Sequence, residues 1–269
     1  MSASSFDADA LVPTVSSIQG RLKRVLESSE IFEEVDGVYA YTGTLIVYQA
    51  GKNLYHGRMI CRSSLTEIRI EDATNITLIP TAAYRPLCPP TFTQASSPSN
   101  CFVKRPGLIS YDRVLSSDNP YQIAEQVLQE CQTCEFLKKH PHPNIAECLG
   151  CEIQDKVITG ICFTRYPQTL MRRVNLGSDM KRSKVLQGIE NGIRHLHQLN
   201  LVHNDLNPSN VMLLNDDTPI IIDFDSCRRT YEWYDEDVQI SLPSNDLDAL
   251  GEMREWLSEN VTKQYQFKE

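Results

Sequence analysis

LVHNDLNPSNVMLLNDDTPIIIDFDSC, residues 201–227, decides how this chain is read. Two apolar strand segments flank Asn215-Asp216-Asp217, a turn whose side chains can bond their own backbone. The stretch puts Asp205 and Asp223 at the two ends of a short hairpin, with Asn210 between them. A hairpin that merely supplied turn hydrogen bonds would account for residues 215–217. It would not account for acid, amide and acid standing in that order after the helical pattern that ends in HLHQLNLVHND.

The composition around this stretch is that of a globular chain. At 269 residues and 41% hydrophobic content it can bury a core and suits one large domain or two lobes. No run of about 18 apolar residues occurs, and MSASSFDADALVPTVSSIQG has neither a basic leader nor an apolar segment. The expected location is cytoplasmic or nuclear, with no membrane partner. Nine cysteines, an odd number, favour reduced thiols over a disulfide framework. A net charge of −9 disfavours a phosphate-backbone interface, so nucleic acid is not an expected partner.

Residues 1–36 read as a loosely ordered leader with one helical-looking piece, Ile18–Leu26. From Gly37 to Ile79, VYAYTGTLIVY, RMICRSS, EIRIED and ITLIP read as strands separated by turn signals. The Pro- and Ser-rich TAAYRPLCPPTFTQASSPSN cannot be a central strand, and CFVKRP resumes as a short one. Tyr121–Lys139 is a predicted amphipathic helix with Ile123, Val127, Cys134 and Leu137 on one face. Glu130 falls on that face and needs a partner there. Strands are expected near Ala146–Ile153 and Val157–Phe163, with helices near Ser183–Leu199 and Asp246–Ser258. Strands first and helices later imply an α+β protein. We expect a β-rich N-lobe over residues 37–163 and a shortened helical C-lobe over 164–269, with a ligand cleft between them.

His203-Asn204-Asp205, Asn210 and Asp223-Phe224-Asp225 match H-x-D-x-x-x-x-N followed by D-F-x, which resembles the catalytic and metal loops of protein kinases. The resemblance implies a bilobal protein-kinase-like fold, with ATP and Mg²⁺ used to phosphorylate an unidentified protein substrate, on Ser/Thr rather than Tyr. Phosphoryl transfer needs a base and a clamp for phosphate charge, and hard oxygen donors suit Mg²⁺. By this resemblance Asp205 orients the acceptor hydroxyl and accepts its proton, and Asn210 and Asp223 hold the metal. Lys104 of CFVKRP resembles the strand lysine that meets the nucleotide phosphates, which makes it the partner for Glu130. HPHPNI resembles the turn after that helix. ICFTRYPQTL resembles the hinge, so Thr164, Arg165 and Tyr166 line the nucleotide pocket. Residues 246–251, DLDALG, resemble the helix start that anchors the catalytic loop. The likeness runs from about Ile79 to Leu257, and HNDLNPSN and IIDFDSC look most like fungal protein-kinase-like proteins.

Several positions depart from that pattern. No G-x-G-x-x-G precedes Lys104. Asn204 replaces the usual Arg, which removes a partner for a phosphate on the activation loop. Asn207 stands where Ser/Thr kinases have Lys, Asp225 replaces a Gly, and no A-P-E separates Asp223 from Asp246. HxDLxxxN with IDFD also resembles aminoglycoside and choline phosphotransferases, and loss of the phosphate loop would suit a pseudokinase binding module. Cys131-x-x-Cys134 and Cys148-x-x-Cys151, with His140 and His142 between them, imitate a zinc spacing. Their placement in a helix and a strand favours buried thiols. Arg172, Arg173, Lys181, Arg182 and Lys184 read as a solvated surface.

Overall fold

The computed structural model describes residues 15–18, 21–60, 69–96, 101–232, 240–258 and 265. β1 (Val15–Ile18), β2 (Arg21–Val35), β3 (Val38–Ala50), β4 (Asn53–Met59) and β5 (Thr74–Ile79) form an antiparallel meander in sequence order. Asp36 and Gly37 close β2 onto β3 with φ of 52° and 79°, the two left-handed residues of a tight hairpin turn. The segment expected to hold a helix at Ile18–Leu26 is strand from Arg21 onward, and from Lys23 it pairs with β3. Ile70–Asp72, read within EIRIED as strand, is one turn of 3₁₀ helix. Its Ile70 packs under the sheet with Val25, Ile46, Tyr48 and Met59. Most of RMICRSS lies outside the described residues.

A second sheet is built from β6 (Phe102–Lys104), β7 (Cys148–Gln154) and β8 (Val157–Phe163) in the order β6-β8-β7. The two helices between β6 and β7 are α1 (Tyr111–Leu115) and α2 (Gln122–Lys138). The Pro-rich segment before β6 runs beside β7 and the start of β8, where Cys151 N–H donates to Thr93 O at 2.7 Å and Ile158 N–H to Pro86 O at 2.9 Å. Gly150 permits this approach, because a Cβ there would stand 2.5 Å from Thr93 O. Among the described residues β6 pairs only with β8. Val47 and Ile79 of the meander, with Tyr84 of the segment that follows it, pack against Leu108, Tyr111, Val114 and Ile123.

The remaining strands are β9 (Gln168–Thr169), β10 (Leu201–Val202), β11 (Val211–Leu213), β12 (Pro219–Ile221) and β13 (Arg228–Arg229). The helices are α3 (Leu170–Asn175), α4 (Arg182–Gln198) and α5 (Pro243–Ser258). Val185, Ile189, Ile193 and Leu196 of α4 are fully buried, the stripe that a 3.6-residue period places on one face. That face lies on the β11–β12 hairpin. A Cβ at Gly188 would stand 2.5 Å from Pro219, so the helix needs glycine where it crosses the hairpin. One large core joins α2, β7, β8, α4, the hairpin and α5. The chain is α+β, with sheet first and helices later. Among the described residues no helix is long and apolar enough to cross a membrane.

Candidate active site

The β11–β12 hairpin returns the chain so that two loops meet. Ile222 N–H donates to Asn210 O at 3.0 Å, and Ile222 O accepts from His203 Nε2 at 2.9 Å. His203 Nδ1 accepts from Asp205 N–H at 3.3 Å, so the tautomer with its proton on Nε2 satisfies both contacts. His203 is wholly buried against Phe224, which is itself 1% exposed. Beneath the loop, Asp246 of α5 is 0% exposed and accepts from His203 N–H and Asn204 N–H, each at 2.9 Å. His197 Nε2 adds a third bond to Asp246 at 2.9 Å. A buried carboxylate is tolerable because these donors surround it.

Asp205 is held by two amides. Asn207 Nδ2 donates to its Oδ1 at 3.0 Å and Asn210 Nδ2 to its Oδ2 at 2.7 Å. Asn207 Oδ1 in turn accepts from Ser209 N–H and Asn210 N–H, which closes the loop on itself. Burial raises the Asp205 pKa, and Asp223 and Asp225 add to the rise against the pull of His203.

Lys104, Glu130 and Asp223 converge from β6, α2 and the loop after β12. Lys104 Nζ lies 2.8 Å from Glu130 Oε1 and 2.6 Å from Asp223 Oδ1, with Asp225 Oδ2 at 3.7 Å. Glu130 Oε1 also accepts from Phe224 N–H at 3.3 Å. Asp223 has a φ of 68°, a left-handed conformation that Asp tolerates better than most residues. Burial would lower the Lys104 pKa, but Glu130, Asp223 and Asp225 outweigh it and hold the ammonium well above its ordinary value. Burial pushes Glu130 up to about 7, aided by Asp223 and Asp225 and opposed by Lys104. Three carboxylates thus share one ammonium, and the surplus is negative.

That donor set fits a hard divalent cation. The Asn210 amide nitrogen is committed to Asp205, so its oxygen and the Asp223 carboxylate are the donors that would hold a metal. Among the described residues no three His, Cys, Asp or Glu side chains are grouped to hold a metal by themselves. A Mg²⁺ here would complete its shell with water or phosphate oxygens, as that ion commonly does.

The three expected nucleotide-lining residues lie after β8 and are tied to their neighbours. Thr164 N–H and Oγ1 donate to Glu147 at 3.1 and 2.6 Å, Tyr166 OH accepts from Glu147 N–H at 3.0 Å, and Arg165 Nη2 donates to Cys101 O at 2.9 Å. A cavity of about 410 Å³ lies on another face of α2, lined by Glu125, Gln129, Phe136, Leu201 and Arg228 among others, and none of Lys104, Glu130, Thr164, Arg165, Tyr166, Asp205, Asn210 and Asp223 lines it. The four cysteines with zinc-like spacing pair across α2 and β7, with Cys131 and Cys151 sulfurs 3.7 Å apart. Arg173 and Lys184 of the basic cluster pair with Asp217 and Asp216.

Sequence reasoning did not find the contact of Asp225 with Lys104, nor the support that Asn207 gives Asp205. Asn207 carried a local signal, an Asn followed by Pro and Ser in a loop, which favours side-chain capping of the next amides. Asp225 carried none, because the contact depends on where β6 lies.

Residues 110–241 match the model of the protein kinase domain. The chain is also similar to the Caenorhabditis elegans stress-activated protein kinase jnk-1, 28% identical over 119 residues, which cover 42% of this chain and 26% of that protein. Lys104 and Asp246 fall outside the matched range, yet both converge on residues inside it. These likenesses support a divergent protein-kinase-like protein.

Proposed function

We propose that the chain transfers the terminal phosphoryl group of ATP, with Mg²⁺, to protein hydroxyls of Ser or Thr. The observation that carries this reading is Lys104 bonded at once to Glu130 and Asp223, three residues from three elements meeting beside an Asp205 whose two oxygens are fixed by amides. Asp205 is the proposed base, oriented toward an acceptor hydroxyl by Asn207 and Asn210. Lys104, kept charged by its carboxylates, is the proposed phosphate contact, and Glu130 positions it. Thr164, Arg165 and Tyr166 are proposed to flank the nucleotide. Bound Mg²⁺, held through Asn210 and Asp223, would neutralise phosphate charge.

ATP with Mg²⁺ should raise the melting temperature, because a ligand that binds only the native state stabilises it. Asp223→Ala should remove the metal-dependent part. Asp205→Asn should bind nucleotide as wild type does, while transfer to Ser/Thr peptides falls by ~10²–10⁴. Wild type that transfers to no peptide, or Asp205→Asn that matches it in rate, sinks the catalytic reading. The alternative is a nucleotide-binding module without turnover. It is favoured by the bare edge of β6, where no strand among the described residues offers backbone donors to a phosphate.

A further inference from the structure

Asn204 joins more of the site than its neighbours in sequence would suggest. Its φ is 65°, and its backbone N–H is fixed on Asp246. From there its Nδ2 donates to Ser241 Oγ at 2.8 Å, Ser226 O at 3.0 Å and Val202 O at 3.3 Å. Its Oδ1 accepts from Asn245 Nδ2 at 3.1 Å. One side chain therefore touches the end of β10, the residue after Asp225, the returning arm at Ser241 and the start of α5.

The two arms also bond each other. Tyr231 N–H donates to Ser241 O at 2.8 Å, and Ser241 N–H to Glu232 O at 2.9 Å. Ser241 is 0% exposed. Every bond made by the Asn204 side chain is between neutral groups, so neither salt nor pH near neutrality should loosen it.

We propose that Asn204 is a positioning residue, an uncharged clasp that holds the outgoing arm at Ser226 and the returning arm at Ser241 against the loop that carries Asp205. The clasp fixes the acceptor side of the site, and in that respect it rests on the catalytic reading above. A clasp of this kind acts on acceptor placement and leaves nucleotide binding alone.

Asn204→Gly is the sharpest test, because glycine keeps the left-handed backbone and removes only the side chain. Amide hydrogen exchange at Tyr231 and Ser241 should quicken at least tenfold, whether or not the protein turns over. With ATP and casein, kcat/KM for casein should fall ~10- to 100-fold, the scale of a small misplacement of reacting groups. Nucleotide affinity should stay within about twofold, and the loss should be equal at low and high salt. Ser241→Ala, which deletes one bond and disturbs the backbone least, should reproduce part of both effects, and in the double variant the effects should be less than additive. Unchanged exchange at Tyr231 and Ser241 in Asn204→Gly overturns the clasp. So do strictly additive effects, or a matching loss of nucleotide affinity. Failure of wild type to phosphorylate casein, with exchange quickened as expected, would instead remove the catalytic reading and leave the clasp as a structural tie.

Discussion

Lys104→Met tests the electrostatics of the centre without shortening the stem. The side chains of Lys104, Glu130 and Asp223 are 15%, 6% and 13% exposed, so loss of the ammonium leaves two carboxylates in a mostly dry site. Breaking a buried pair from one side costs ~3–5 kcal/mol. The residual exposure points to the lower end, near ~3 kcal/mol at pH 8, or a fall of roughly 6–12 °C in Tm for a chain of this size. The cost must depend on pH. Glu130 has a folded pKa above its ordinary 4.5, so the native state takes up a proton before the unfolded chain does as pH falls. Stability is regained from about pH 7 downward and the gain is complete below 4.5. Without Lys104 the group that opposes this rise is gone, so the window moves upward and the slope steepens. Urea unfolding at pH 8 and pH 5.5 should show most of the deficit at pH 8. Lys104→Met/Glu130→Gln should recover part of it and flatten the slope. An equal deficit at both pH values, or a double variant as unstable as the sum of the single ones, would refute the claim that the ammonium chiefly offsets these carboxylates.

Two further outcomes can be measured on the same footing. Asp246→Asn turns an amide NH₂ toward backbone donors and should lose ~2–4 kcal/mol in urea unfolding, since buried groups left without partners are costly; a loss under 1 kcal/mol would show that the loop carrying Asp205 does not hang on this side chain. Glu27 accepts from Leu108 N–H and Ile109 N–H at 2.8–3.0 Å, so Glu27→Ala should lose ~2–4 kcal/mol. Burial raises the Glu27 pKa above 4.5, so wild type should lose stability as pH rises from that value, and the variant should lack this share of the slope.

The parts legible in the sequence are those where one face is buried. The apolar faces of α2, α4 and α5 recur at helical spacing, and the hairpin stretch alternates two apolar runs with one turn, so those elements lie within a few residues of expectation. Glu130 stood out because a carboxylate on an apolar face needs a cation, and the structure supplies Lys104. By contrast, β2 has a largely exposed distal half, and register shifts at Val25/Glu27 and Ile31/Phe32 break its alternation. No period-2 signal survives to separate it from a solvated leader. EIRIED misled in the opposite way: its apolar residues alternate, but the chain turns there to enter β5. The partners of Asn204 lie 22 and 37 residues ahead of it at Ser226 and Ser241, a separation that no local pattern encodes.

A buried carboxylate on a helix is a poor stabiliser, so its persistence at Glu130 asks what fixes α2 in rotation. The helix is anchored at both ends in different cores. Ile123 lies in the cluster formed with the N-terminal meander and α1, whereas Val127, Cys131, Cys134 and Leu137 lie in the main core. Within the second span Glu135 accepts from Thr93 N–H at 2.7 Å and from Thr93 Oγ1 at 3.1 Å, which ties the helix to the Pro-rich segment beside β7. A turn of α2 by one residue, about 100°, would have to empty both clusters and break that tie. Glu130 therefore points at Lys104 because neighbouring contacts leave it no other direction. The N-terminal meander, though none of its described side chains reaches the site, helps set the angle of the helix on which the Lys104 contact depends.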